Sequence, residues 1–447
     1  MEQFRAMGLV SAARIIWDSG VEAVRPRSLL GSYVYCTPDT LILCDETFDL
    51  KQVGRLVVVG GGKAGAEMAA TFEAALTEPF LAKLSGWVNV PNDCVRPLQR
   101  ITLHGGRPSG INKPCAEGAY GAEQILRMVG ELGPQDLCVV LLSGGGSALL
   151  PAPPPQISLE DKLLITRLLE DGGADIQEMN TVRKHISRIK GGGLGRASRA
   201  GKTICLILSD VIDDPLDIIA SGPTVPNSTT AADALAVIAR RCGHGAAPLT
   251  VLAYLQRRAS SGVQDSALPD TISNHIIGNN ALALEAAARR ASELGFRVIS
   301  NGSSVRGIAR DVGRALAEQV LELRQKRTAP TCILSGGEPT VELAARRGKG
   351  GRNQEVALAA LSALWGADLR NLVVLSGGTD GEDGPTDAAG GWASRKVYER
   401  AVAQGLHPNE FLEHNNAYPF LAATGGLFVT GPTSTNVMDI RVALVHS

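Results

Sequence analysis

Four apolar runs in this chain end in glycine, each with the look of a buried strand opening into a loop. They are Leu56–Gly65 (LVVVGGGKAG), Val139–Ser147 (VVLLSGGGS), Cys332–Thr340 (CILSGGEPT) and Val373–Gly381 (VVLSGGTDG). A Val/Leu/Ile run without polar alternation reads as a strand covered on both faces, as in a parallel sheet. Glycine beyond the strand end lets backbone N–H groups turn toward an anion with no side chain in the way. Four such ends in one chain predict an α/β fold whose strand mouths hold phosphate or carboxylate groups.

Helical and strand patterns alternate around these runs. Strands are expected at 55–59, 86–90, 137–142 and 203–208, with helices at 64–75, 116–129 and 159–169 between them. That order predicts βαβ units and a largely parallel sheet. The polar, aperiodic stretch Gln256–Asp270 reads as a linker. Beyond it, strands at 275–277, 297–299, 331–334 and 372–375 alternate with helices at 281–294, 308–324 and 354–365. The runs 426–429 and 439–445 read as antiparallel edge strands. Two α/β domains are therefore expected, 1–255 and 271–447, which suits a length of 447 residues.

Composition narrows the function. The net charge is −1 and no basic run or basic-aromatic stripe is present, so neither nucleic acid nor an anionic membrane is an expected partner. The eight cysteines include no Cys-x-x-Cys pair, which predicts reduced thiols, no zinc site and no disulfide framework. The opening MEQFRAMGLVSAARIIWDSG reads as an amphipathic helix and not a signal peptide, and no apolar run has transmembrane length. The expected setting is cytoplasmic, and a homodimer is compatible with all of this.

Several sites carry candidate chemistry. Gly60–Gly65 fits G-x-G-x-x-G, with Asp93 a late candidate for the ribose-binding acid; Walker A spacing is absent. Lys63 adds positive charge at a helix start, which is unfavourable without an anion, so Lys63 and the adjacent Gly61 and Gly62 are expected to hold one. Ser143, Gly144 and Gly145 form a second nest, in which Ser147 caps a helix or touches phosphate; no nucleophile elbow frames it. The stretch Asn180–Lys190 reads either as a solvated charged face or as a source of anion contacts, with Lys190 the favoured residue and His185 structural. Asp210 at a strand mouth is a candidate magnesium ligand or general base, against the alternative of an Asx turn. Gly337 and Glu338, in the third glycine loop, and Asn353 are candidate cofactor-binding residues. Arg352, in Gly348–Glu355, supplies a planar fork for carboxylate or phosphate, and Asn353 and Gln354 are expected to cap the helix that follows. The acids of Thr379–Asp387, Asp380 among them, lack EF-hand spacing and suit substrate hydroxyls or magnesium-bound water.

The motifs VVVGGGKAGAEMA, LLSGGGSALLPAP, NTVRKHISRIKGG, LSDVIDDPLDIIASGPT, LSGGEPTV, GKGGRNQEVALA, LSGGTDGEDGPTDAAGG and GPTSTNVMDI span Val57–Ile440. In order and density they resemble the glycerate 2-kinases, whose C-terminal part is the MOFRL domain. The resemblance implies a Rossmann-like parallel-sheet N-terminal domain and a MOFRL-type α/β domain with a mixed sheet, the active site lying in the cleft between them. It implies ATP- and Mg2+-dependent phosphorylation of D-glycerate to 2-phosphoglycerate, with Lys63 and Arg352 central. Two departures bear on the substrate. Arg107 stands where the family has a histidine in His104–Gly110, and the family's Gly-Asp-Asp-Pro is shortened to Ile212–Pro215. The alternative reading is an NAD(P)H-dependent hydroxypyruvate reductase, permitted by the glycine pattern at Gly60–Gly65.

Overall fold

A computed structural model describes residues 8–108, 110, 113–243, 245–261, 267–327 and 329–446. The chain forms two compact units, Leu29–Ile277, and Met1–Ser28 together with Gly278–Ser447.

The unit Leu29–Ile277 begins with three short antiparallel strands, β1 (Val34–Cys36), β2 (Thr40–Leu43) and β3 (Glu46–Asp49). Its centre is a six-stranded sheet of β4 (Leu56–Gly61), β5 (Leu84–Pro91), β6 (Ile101–Arg107), β7 (Leu137–Leu142), β8 (Lys202–Leu208) and β9 (Ile272–Gly278), in the order β6-β5-β4-β7-β8-β9. β4 runs parallel to β5 and β7, β5 to β6, and β7 to β8. Every residue of β4 and β7 is buried, as their unalternated sequences predict for central strands. Val59, Val140 and Ile207 of the sheet share one core with Ile125 and Val129 of the helix Ala116–Gly130. A second core joins the helices Leu159–Asp171, Ile176–His185, Ala231–Arg241 and Leu249–Ser260 through Ile165, Val182, Ile238 and Leu255. Asp175 with Glu178, and Thr230 with Asp233, form capping boxes that fix two of these helix starts.

The other unit holds a mixed sheet in the order β10-β11-β15-β12-β13-β14, with β10 (Arg297–Ser300), β11 (Thr331–Gly337), β12 (Leu372–Gly378), β13 (Gly390–Ser394), β14 (Leu427–Phe428) and β15 (Asp439–Val445). β10 and β11 are parallel, while β15 lies antiparallel between β11 and β12.

Four expectations change. β14 is an antiparallel edge strand as expected, but β15 is central and wholly buried, its run apolar except for Asp439 and Arg441. The polar residues 256–260 belong to the helix Leu249–Ser260, whose buried side is Val251 and Leu255; residues 262–266 lie outside the described residues. The chain crosses between units at Ile277/Gly278, after β9 has joined the first sheet, and not at Gln256–Asp270. The helix Leu9–Ala23 belongs with the C-terminal residues because Ile16 and Trp17 are buried there, Trp17 Nε1–H donating to Gly377 O at 3.3 Å. Residues 1–7 of the expected amphipathic helix lie outside the described residues.

The stretch Asn180–Lys190 is not a solvated face. The helix ends at His185, and Lys184, His185 and Lys190 are buried. Nearby Lys162 is also buried, its Nζ donating to Ile186 O at 3.0 Å, and burial lowers its pKa from 10.5 to about 7. The unfolded chain therefore holds more protons than the folded one between about pH 7 and 10.5, so this group makes stability rise with pH across that window. In Lys162→Met that slope should disappear. Chemical-denaturation midpoints of the two proteins should differ most in the variant's favour at pH 7 and approach their alkaline offset by pH 10.5; a difference constant with pH would rule out a titrating Lys162.

Candidate active site

In Leu29–Ile277 the end of β4 and the loop after it lie against the end of β7 and its loop so closely that only glycine fits. Gly60 and Gly62 have φ of 152° and 157°; a Cβ on Gly60 would lie 1.9 Å from Leu141 O, and one on Gly62 2.0 Å from Ser143 Oγ. Gly61 completes β4 between them. Lys63 N–H donates to Gly144 O at 2.7 Å, and Ala64 N–H to Ser143 Oγ at 3.0 Å. The two loops thus form one platform, with half-buried Lys63 just before the helix Gly65–Ala74. Gly145 takes φ 77°, and the N–H groups of Gly144, Gly145 and Ser147 meet no backbone acceptor among the described residues. Backbone N–H groups clustered without backbone acceptors can form a nest for an anion.

Behind the loop, Lys190 Nζ donates to Ser147 Oγ at 2.6 Å and to Ser147 O at 2.9 Å. Ser147 Oγ lies 3.1 Å from Ser221 Oγ, which donates to Asn180 Oδ1 at 3.1 Å. Burial, then the charges of Lys162 and Arg183, push the Lys190 amine well below the usual lysine value. His185 has a structural setting, its Nε2 3.1 Å from both Thr229 Oγ1 and Asn227 Nδ2. Asp210 lies two residues past the end of β8, half-buried at that strand mouth. Downstream, Asp213, Asp214, Ala220 and Ser221 take φ between 49° and 67°, a costly region for side-chain-bearing residues that marks strained loops. Arg107 is buried at the end of β6; Ser109 lies outside the described residues. Asn89, near the end of β5, donates its amide to Gly118 O at 3.1 Å and Leu149 O at 2.8 Å, while Asp93 is exposed in the turn Asn92–Cys94. The strand end facing the first glycine loop therefore offers a committed amide where a ribose-binding acid is required.

In the other unit the residues after β11 and β12 gather around Arg352, the first residue of the helix Arg352–Ala363. Its Nε and Nη2 donate to Asp439 Oδ2 and Oδ1 at 2.8 and 3.0 Å, and Nη1 donates to Glu338 Oε1 at 2.6 Å. The expected fork is present, and its bidentate edge is filled by Asp439. Burial disfavours the guanidinium charge, but Asp439, Glu338 and Asp383 hold its pKa above the usual arginine value. Burial raises the Glu338 pKa, with Asp439 and Asp380 adding like-charge repulsion against the attraction of Arg352. Gly337 ends β11 at φ 108°, where a Cβ would lie 2.4 Å from Val305 O. Asp380 Oδ1 accepts from Glu382 N–H at 3.1 Å.

The helix cap comes from another part of the chain. Asp383 accepts from Asn353 N–H at 3.0 Å and Gln354 N–H at 2.8 Å, so these two residues are capped and do not cap. The Asn353 side chain is buried, accepting from Ser376 Oγ at 2.6 Å and donating to Asp383 Oδ1 at 3.4 Å. Sequence reading also passed over Asp439 and Arg441. Arg441 is fully buried in β15, its Nε donating to Ser335 Oγ at 3.1 Å and its Nη2 to Gly336 O. The available signal was two charges inside an otherwise apolar run, DIRVALV.

Burial raises Asp383 to about 7 against the lowering effect of its two backbone donors. A carboxyl raised on folding contributes stability that is full below its ordinary 3.8 and is lost as pH rises through about 7. Asp383→Asn titrates nowhere in that window. Its denaturation midpoint should gain on the wild type from pH 3.8 to 7, and parallel pH curves would show that Asp383 keeps an ordinary pKa.

Residues 12–256 match a domain of unknown function, DUF4147, and residues 331–439 match the MOFRL family. The chain is 36% identical over 433 residues to a glycerate 2-kinase of Pyrococcus horikoshii, covering 96% of this chain and 95% of that one. It is 42% identical over 402 residues to an Agrobacterium vitis protein named "Putative hydroxypyruvate reductase", covering 88% and 87%. The crystal structure of a glycerate kinase from Thermotoga maritima superposes with a TM-score of 0.83 at 33% identity, covering 97% and 98% of the two chains. With both regions in sequence order and the fold shared along its length, this chain belongs to the MOFRL-containing glycerate kinase family.

Proposed function

We propose that the protein transfers the γ-phosphoryl group of ATP to the C2 hydroxyl of D-glycerate, giving 2-phosphoglycerate. The observation that carries this reading is the platform in which Lys63 N–H bonds Gly144 O and Ala64 N–H bonds Ser143 Oγ. It puts a lysine and open backbone N–H groups at adjacent strand mouths, the arrangement that phosphoryl transfer needs for positioning and charge neutralisation. Gly61, Gly62, Gly144 and Gly145 bind nucleotide phosphate in this reading, and Lys63 pairs with the transferring group. Asp210 accepts the hydroxyl proton or helps hold magnesium. Arg352, tied to Asp439, presents its Nη1 side with Glu338 toward substrate. Glu338, whose carboxyl burial raises, and Asp380, whose charge adds to that rise, are oxygen donors that fit a hard divalent cation, and Asp210 is a separate candidate in the unit Leu29–Ile277. Magnesium bound there would neutralise phosphate charge. The cytoplasmic setting belongs to the same reading.

The reductase reading draws on the Agrobacterium relative's name, but Asn89 stands where its ribose acid is needed. Purified protein with ATP, magnesium and a panel of small hydroxy acids, followed by phosphorus NMR, should yield phosphate on C2 of glycerate. Oxidation of NADH by hydroxypyruvate with no phosphoryl transfer would overturn the proposal. Lys63→Ala should lower kcat by roughly a hundredfold or more while the melting temperature stays near wild type, since it removes charge stabilisation at the reacting group. Arg352→Lys should cost about tenfold or more in kcat/KM, because an ammonium cannot make the bidentate bond to Asp439.

A further inference from the structure

Lys190 is 2% exposed, and among the described residues its Nζ hydrogen-bonds Ser147, at Oγ and at the backbone oxygen. The hydrogen bonds beyond it have one allowed direction. A serine hydroxyl has a single proton to donate. Ser221 gives its proton to Asn180 Oδ1, which only accepts, so Ser147 must donate to Ser221. Ser147 then has no proton for Lys190, and its oxygen accepts from the amine. The chain runs from Lys190 through Ser147 and Ser221 to Asn180. Ser221 is held at φ 62° beside Ala220 at 49°, and the turn is clamped by Gly191 N–H to Ser221 O at 2.9 Å and Gly192 N–H to Gly222 O at 2.7 Å.

The charges facing Lys190 have one sign. Lys162, from the helix Leu159–Asp171, and Arg183, from the helix Ile176–His185, both bear on it. Arg183 leans on Glu170 at 3.4 Å, and Lys184 pairs with Asp217 at 3.0 Å. Among the described residues no carboxylate pairs with Lys190 or Lys162. A neutral amine has two N–H groups, and Ser147 takes both, leaving a lone pair. An anion on the adjoining loop favours the charged form of such an amine.

We propose that Lys190 is a positioning residue of the phosphate loop: it aligns Ser147 while neutral, and takes up one proton from solvent when a phosphate group docks on residues 143–147. The inference rests on the kinase reading, since the phosphate it answers to is the nucleotide's. In the Ser143–Ser147 loop the positive charge is then created with the ligand and not stored in the free protein, where burial would make it costly.

Calorimetric titration of the full-length protein with ADP near neutral pH, in two buffers of different ionisation enthalpy, tests this. The heats should differ by the amount for about one proton taken up per ADP. Lys190→Met should bind ADP roughly tenfold more weakly and lose the buffer dependence. Lys190→Arg carries a permanent charge and should recover affinity with buffer-independent heat, a rescue that a purely steric role does not give. Either variant decides the matter if the other fails to fold. Buffer-independent heat in the wild type, or uptake that persists in the variants, overturns the proposal and leaves the kinase reading standing. A protein that neither binds ADP nor turns over ATP overturns both.

Discussion

The contact between the loops after β4 and β7 sets the terms for the unit Leu29–Ile277. The backbone of one loop lies against the backbone and serine of the other, with room for hydrogen at Gly60 and Gly62 and for nothing larger. That closeness lets Lys63 N–H reach Gly144 O and brings a lysine beside an array of open N–H groups. The central position of β4 and β7 is what makes the contact rigid, because both strands are buried along their whole length. The unit built around β15 is governed by a different constraint. Two charged residues lie in a fully buried strand, and each must find partners there: Asp439 takes the Arg352 fork, and Arg441 takes Ser335 and the Gly336 carbonyl.

The units differ in how they handle buried charge. Arg352, Glu338, Asp439 and Asp383 form a network of opposite signs, where hydrogen bonds and ion pairs offset much of the desolvation. Among the described residues Lys162 and Lys190 donate to neutral acceptors, and burial drives both toward the uncharged amine. The first arrangement keeps a permanent charge in place at Arg352. The second leaves amines that gain charge when an anion approaches, because Lys pKa values respond strongly to burial.

Strands and helices were largely legible from local pattern. The runs at 137–142 and 203–208 matched β7 and β8 nearly to the residue, because continuous apolar stretches bounded by polar turns leave little choice. Topology was not. The run 439–445, apolar except for Asp439 and Arg441, reads the same whether its strand is central or at an edge, and β15 is central because β11 and β12 both pair with it. The stretch 256–260 is polar since it is the outer face of a helix, and its short length hid the period. Trp17 and Ile16 mark the helix Leu9–Ala23 as amphipathic, while nothing local says that it packs with the C-terminal half.

The sequence by itself determined the glycine-ended strands, the positions of Lys63 and Asp210 just past strand ends, the place of Arg352 in a glycine-rich turn before a helix, and the family motifs, because each depends on residues close in the chain. The tertiary structure decided their partners. Asp439 lies 87 residues from Arg352, Ser147 lies 43 from Lys190, and Asp383 lies 30 from Asn353, whose N–H it caps at the helix start. Such pairings arise when strands and loops distant in sequence are packed side by side, and burial then forces each polar group to find the nearest complement.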